Sequence, residues 1–247
     1  MPLHPTELLF AALVLSTGIW LAIAVSVAFA VLARAIRGVS ASGAVAGALA
    51  CFVLIAGAGF GAFVALVSVF VLTWGSTRFG YQRKQKLGTA EKRNGRRASQ
   101  VLANIGVAAV CALLFAVSGG RRVFLLCLAA GLAEAAADTT SSEIGQASST
   151  RARLITTWGE VPAGTDGGVS VMGTAAGLTA AVIVSAVCCL AGLVPWRWMG
   201  ASVTAAMAGV VADSYLGAWL QPRGILNNDG INVLGTLVAA LVAALIA

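Results

Sequence analysis

The sequence predicts an all-α fold, a polytopic transmembrane bundle of about seven or eight helices. Three observations predict it. Of 247 residues, 59% are apolar and only 10% are charged, whereas a soluble domain carries about 25% charged residues to cover its surface. The mean hydropathy is +0.93. The apolar residues also arrive in long unbroken blocks, without the polar–apolar alternation of a β-barrel.

The candidate helices cover 7–33, 43–57, 60–77, 99–118, 123–143, 169–194, 198–220 and 231–247, in one domain spanning 1–247. The first apolar stretch is too long for a cleavable signal peptide, and Glu7 precedes it while Arg34 and Arg37 follow. That arrangement places the N-terminus outside. Only Ala58 and Gly59 separate the second and third segments, which form either a hairpin of two short spans or a re-entrant pair. A basic cytoplasmic loop, 78–98, holds eight of the sixteen Lys and Arg residues. The fifth segment ends in a polar run where Gly145 offers a stop, and a glycine-rich cytoplasmic loop, 144–168, leads into the sixth. Gly43/Gly47, Gly57/Gly61 and Gly173/Gly177 have the G-x-x-x-G spacing that lets helix backbones approach in lipid. Trp196, Trp198 and Trp219 fit interfacial anchors. With eight crossings, 13 cations lie inside against 3 outside, which supports this topology over its inverse; the expected location is the plasma membrane of a prokaryote, with the site facing the cytoplasm.

The charge of +7 is concentrated in a loop between apolar segments, which argues against a nucleic-acid partner. All five cysteines lie in apolar blocks without C-x-x-C spacing, and the single histidine is His4. Zinc, disulfide and histidine chemistry are therefore not expected at a site.

An ionisable group inside a membrane segment is costly and asks for a reason. Glu134 and Asp138 stand four apart on one helical face, which Ser142 continues. Glu143 lies about 140° from Asp138 around an ideal helix, so the two share an ion only if the helix ends or kinks between them. Asp213 with Ser214 repeats the pattern on the seventh segment, and Arg93, Arg97, Gln100 and Asn104 form a polar stripe on the fourth. Counted from the expected helix ends, Asp138 and Asp213 sit roughly 8–10 Å below the cytoplasmic boundary, in one layer with that stripe. Gly164, Thr165, Asp166, Gly167 and Gly168 precede a helix start, where converging amides and the helix dipole suit a phosphate. Asn228 and Asn232 flank another helix start, with Asp229 a candidate cap. Lys92, Arg93, Arg96 and Arg97 adjoin the polar stripe and are the basic-loop residues best placed to neutralise a ligand. Carboxylates with few other ligands suit Mg²⁺, and together with cations and a glycine cradle they make the parts of phosphoryl transfer.

Five ordered motifs carry a family resemblance. They are Arg97-x-x-Gln100-Val101-Leu102-Ala103-Asn104, Ala137-Asp138-Thr139-x-x-Ser142-Glu143-Ile144-Gly145, Pro162-x-Gly164-Thr165-Asp166-Gly167-Gly168-Val169-Ser170, Asp213-Ser214-x-x-Gly217-Ala218 and Asn228-x-x-x-Asn232. Together they resemble the integral membrane family typified by plant phytyl-phosphate kinase, over about residues 35–245. The resemblance implies phosphorylation of a prenyl monophosphate (phytyl, geranylgeranyl or farnesyl phosphate) to the diphosphate, with CTP or another nucleoside triphosphate and Mg²⁺. It makes Asp138, Glu143, Asp213 and Asp166 candidate metal ligands. Gly164, Thr165, Gly167, Gly168 and Ser170 become phosphate-binding candidates, Lys92, Arg93 and Arg97 neutralising cations, and Asn104 an orienting amide. Thr140 departs from the aromatic residue expected there. An ion or small-anion transporter and a lipid-phosphate cytidylyltransferase use similar residues and stay open, as does a homo-oligomer.

Overall fold

The computed structural model describes residues 5–91, 94–148 and 151–247, with side chains from residue 18 onward. His4, Lys92 and Arg93 lie outside the described residues. In order come α1 (Pro5–Ala35), α2 (Ala41–Ala58), α3 (Phe60–Arg78), α4 (Tyr81–Leu87), α5 (Ala98–Val117) and α6 (Val123–Ser148). Three short strands follow, β1 (Arg151–Leu154), β2 (Glu160–Pro162) and β3 (Gly168–Val169), then α7 (Val171–Leu190), α8 (Met199–Leu220) and α9 (Asn228–Leu245). Among the described residues eight helices are long and apolar enough to cross a membrane; the seven-residue α4 is not one of them.

Gly59 alone divides α2 from α3. Its φ of 83° is one that side-chain-bearing residues rarely adopt, so the chain turns there without a loop. Each of the two helices it separates has the length and hydropathy of a span.

α6 is the axis of the bundle. Its span is 72% buried, against 22–44% for the others, and it packs on α3, α5, α7, α8 and α9. Its run of alanines around Glu134 keeps the helix thin enough for so many neighbours. Gly173 and Gly177 of α7 come so close that a Cβ there would lie 2.6 Å from the Ser141 carbonyl oxygen and 2.9 Å from that of Ala137.

Several sequence expectations need correction. α6 does not end at 143–145 but continues to Ser148. Gly145 serves close packing rather than termination, since a Cβ there would lie 3.0 Å from Ser170 Oγ. The remainder of the glycine-rich stretch is not a bare loop: β1 pairs antiparallel with β2 and β3, in the order β2-β1-β3. These strands are two to four residues long, too short for alternation to stand out in the sequence. α9 starts at Asn228 rather than 231, and its cap is not Asp229 but Asn227, whose side chain accepts from Gly230 N at 2.9 Å. All five cysteines are free and buried.

Candidate active site

α6 and α8 present Asp138 and Asp213 to one polar cavity of about 190 Å³, which residues 163–168 and the start of α7 also line. Local bonding shapes that rim. The Thr165 hydroxyl donates to the Pro162 carbonyl at 2.8 Å, and Gly168 N donates to the Thr165 carbonyl at 2.9 Å, closing a tight turn. Gly167, at φ 73°, lies on α8: a Cβ there would collide with Ala218 and stand 2.7 Å from the Ser214 carbonyl oxygen. Only glycine meets both demands. Ser170 caps α7, its Oγ accepting from Gly173 N at 3.1 Å. Asp166 is exposed on the rim, and its partial burial lifts the carboxyl above the usual carboxylate range. Ser214 and Asn228 also line the cavity. Ser142 lines it too, but its hydroxyl donates to the backbone carbonyl of Asp138 at 2.8 Å.

Glu134 lies one helical turn from Asp138 and is 1% exposed. Its Oε1 and Asp213 Oδ2 are buried without a hydrogen-bond partner among the described residues. Both approach Gly235 of α9, where a Cβ would be 2.5 Å from Glu134 Oε1 and 3.3 Å from Asp213 Oδ2. Buried orphan oxygens are rare enough to call for a cation, a proton or water. Among the described residues no group of three or more His, Cys, Asp or Glu side chains forms a ready metal-ligand set. The single-layer depth count changes as well. Asp138 lies about 15 Å from the end of α6 and Asp213 about 10 Å from the end of α8, because α6 is longer than expected.

Other predicted residues point elsewhere. Glu143 leaves this cavity and ion-pairs with Lys84 of α4, a fully buried lysine. Lys84 Nζ also donates to the carbonyls of Ser76 at 3.1 Å and Thr77 at 2.8 Å, and Thr77 Oγ1 donates to Glu143 Oε1 at 3.0 Å. The unbroken helix explains this, since it keeps Glu143 on a different face from Asp138. Asn104 donates to the Gln100 carbonyl at 2.8 Å and accepts from Asn232 Nδ2 at 3.2 Å, joining α5 to α9. Gln100 accepts from Arg97 N at 2.8 Å and donates to Glu91 Oε2 at 3.1 Å. Arg97 is exposed at the start of α5 and lines neither cavity.

A second cavity, of about 470 Å³, was not expected as such, although Arg96 and Asn104, both singled out in the sequence, line it. α1, α2, α3, α5 and α6 enclose it, with Phe29, Leu66, Val69, Phe70, Val101 and Ile105 among its apolar lining and Arg37, Arg78 and Arg96 its cations. Arg37 and the third helix's terminal Arg78 read as topology signals in one dimension. Arg96 lines this cavity and reaches toward Asp138 of the polar one. Its guanidinium is 3.4 Å from Thr139 Oγ1, and it attracts the neighbouring Asp138 carboxylate.

The sequence profile described as "Integral membrane protein DUF92" matches residues 24–240. The chain belongs to this DUF92 family. Among its relatives, Protein VTE6, chloroplastic, of Arabidopsis thaliana is 33% identical over 218 residues, covering 85% of this chain and 66% of the plant protein. The chain thus spans slightly less than two thirds of that relative. Uncharacterized membrane protein MJ0933 of Methanocaldococcus jannaschii is 31% identical, covering 83% of this chain and 84% of its own. Uncharacterized membrane protein sll0875 of Synechocystis is 34% identical, with 75% and 73% covered. No solved structure matches the chain. The DUF92 match spans all five motifs, and so includes both carboxylates of the polar cavity and its glycine turn.

Proposed function

We propose that the protein is a membrane kinase that transfers the γ-phosphoryl group of a nucleoside triphosphate, CTP or another, to a prenyl monophosphate. The observation that carries this reading is the meeting of Asp138 and Asp213 with the turn 163–168 in one polar cavity. Carboxylates facing a glycine turn at a helix N-terminus suit a phosphate chain accompanied by Mg²⁺. The buried, unpartnered Oδ2 of Asp213 fits such a cation, and two carboxylates leave the remaining positions to water and phosphate oxygen. Asp138 and Asp213 would hold it, and its chemistry there is neutralisation of phosphate charge.

Turn 164–168 and Ser170 orient the donor phosphates in this reading. An oxygen of the acceptor phosphate, already ionised at neutral pH, forms the new bond to the γ-phosphorus. The bond from that phosphorus to the β,γ-bridging oxygen breaks, and CDP leaves with the electron pair. No general base is required. The motif resemblance to the phytyl-phosphate kinase family supports a lipid acceptor, and the site would face the cytoplasm of a prokaryotic plasma membrane.

The test is product analysis with purified protein, Mg²⁺, CTP and geranylgeranyl phosphate. CDP and geranylgeranyl diphosphate should appear in equal amounts. Pyrophosphate with a CDP-lipid would replace this reading by cytidylyl transfer. No nucleotide turnover with farnesyl, geranylgeranyl or phytyl phosphate, combined with tracer flux in proteoliposomes, would replace it by transport.

A further inference from the structure

We infer that the 470 Å³ cavity enclosed by α1, α2, α3, α5 and α6 is a binding site for a single-chain isoprenoid monophosphate, with Arg37, Arg78 and Arg96 receiving the phosphate and the Phe29–Phe70 region receiving the chain. The inference rests on the kinase reading only for the identity of the chain.

The cavity has the polarity of an amphiphile. Its interior is built from Phe29, Leu66, Val69, Phe70 and Ile105, and Phe29 meets Phe70 edge to face with centroids 5.4 Å apart. Three arginines line it against one carboxylate, Glu91, which Gln100 holds at 3.1 Å. Among the described residues none of the three arginines has a carboxylate within ion-pair distance. Unpaired guanidinium groups beside an apolar interior match a phosphate head on a hydrocarbon chain.

The cations are held in place by the backbone. Arg78 donates to the Ile36 carbonyl at 2.6 Å and stacks over Trp74 at 4.5 Å. Arg96 is clamped by its own main chain, with Ser40 N donating to its carbonyl at 2.9 Å and its N donating to Gly38 at 3.2 Å. Arg37 adopts φ 58°. Because Arg96 also reaches Thr139 beside Asp138, a phosphate on it would lie on the side of the cavity toward Asp138.

The experiment measures binding of geranylgeranyl phosphate to the full chain in nanodiscs without nucleotide. Gly47 lines the cavity, and a Cβ there makes only an ordinary 4.0 Å contact with Val101. Gly106→Ala, outside the cavity and with nothing within 4 Å of its Cβ, should fold and bind normally, while Gly47→Leu, which fills the space, should weaken binding about tenfold or more. Arg37→Asn, with a residue that tolerates positive φ, should weaken the phosphate about tenfold and leave geranylgeraniol unchanged. Equal binding by wild type and Gly47→Leu, or no effect of Arg37→Asn, would overturn the site. Equal competition by phosphatidic acid would overturn the isoprenoid assignment in favour of a bilayer phospholipid. Binding as expected without nucleoside diphosphate formation from CTP, ATP, GTP or UTP would sink the kinase reading alone. CDP formation with unaffected plug and charge variants would sink this inference alone.

Discussion

Asp138 of α6 and Asp213 of α8 line the same polar cavity, from helices that are separated by the β-sheet segment and α7 in the chain. If they hold the cation of a phosphoryl transfer, Asp138→Asn and Asp213→Asn should each lower CDP formation by on the order of a hundredfold or more. Both variants should still insert and elute as folded protein in detergent, because each change is isosteric. Wild-type turnover in both would remove these carboxylates from the chemistry.

The buried pair of Lys84 and Glu143 fastens α4 and the end of α3 to α6. Removing one partner leaves an uncompensated charge, so Lys84→Met should destabilise the protein by about 3–5 kcal/mol. The double variant Lys84→Met/Glu143→Leu should recover most of that loss, as read by thermal unfolding in detergent. If Glu143 instead serves a metal, Glu143→Gln would abolish turnover without a comparable loss of stability.

Asn104 and Asn232 join α5 to α9 through one side-chain hydrogen bond. Interhelical polar contacts in membranes are modest, so a double-mutant cycle with Asn104→Ala and Asn232→Ala should return about 1 kcal/mol of coupling. Zero coupling with a large loss of nucleotide turnover in Asn104→Ala would reinstate the amide as a ligand-orienting group.

Gly167→Ala should push the turn away from α8, because its Cβ meets Ala218 and the Ser214 carbonyl. The nucleotide KM should rise about tenfold or more, and the strain at positive φ should also lower the melting temperature. Gly106→Ala on α5, where a Cβ meets nothing within 4 Å, is the control and should leave KM unchanged.

Much of this architecture is legible in one dimension. Span positions follow from hydropathy because a bilayer demands long apolar segments locally, whatever their neighbours. The motif holding Asp138 and the glycine turn are visible for the same reason, as local violations of apolar or helical preference. The predicted end of α6 was misplaced because Gly145 reads as a stop signal in isolation, yet it allows the close approach of α7. The family resemblance groups Glu143 with Asp138, although helical geometry sets it on another face, where it meets Lys84.

Sequence alone determined that this chain crosses a membrane repeatedly and collects carboxylates, amides and a glycine turn toward the ends of certain helices, because both properties are carried by short stretches of residues. Tertiary structure alone decided that Asp138 shares a cavity with Asp213 while Glu143 pairs with Lys84, and that Arg37, Arg78 and Arg96 line a largely apolar cavity. A cavity is a gap between helices distant in the chain. Its lining depends on how each helix is rotated against its neighbours, which packing around the buried α6 sets.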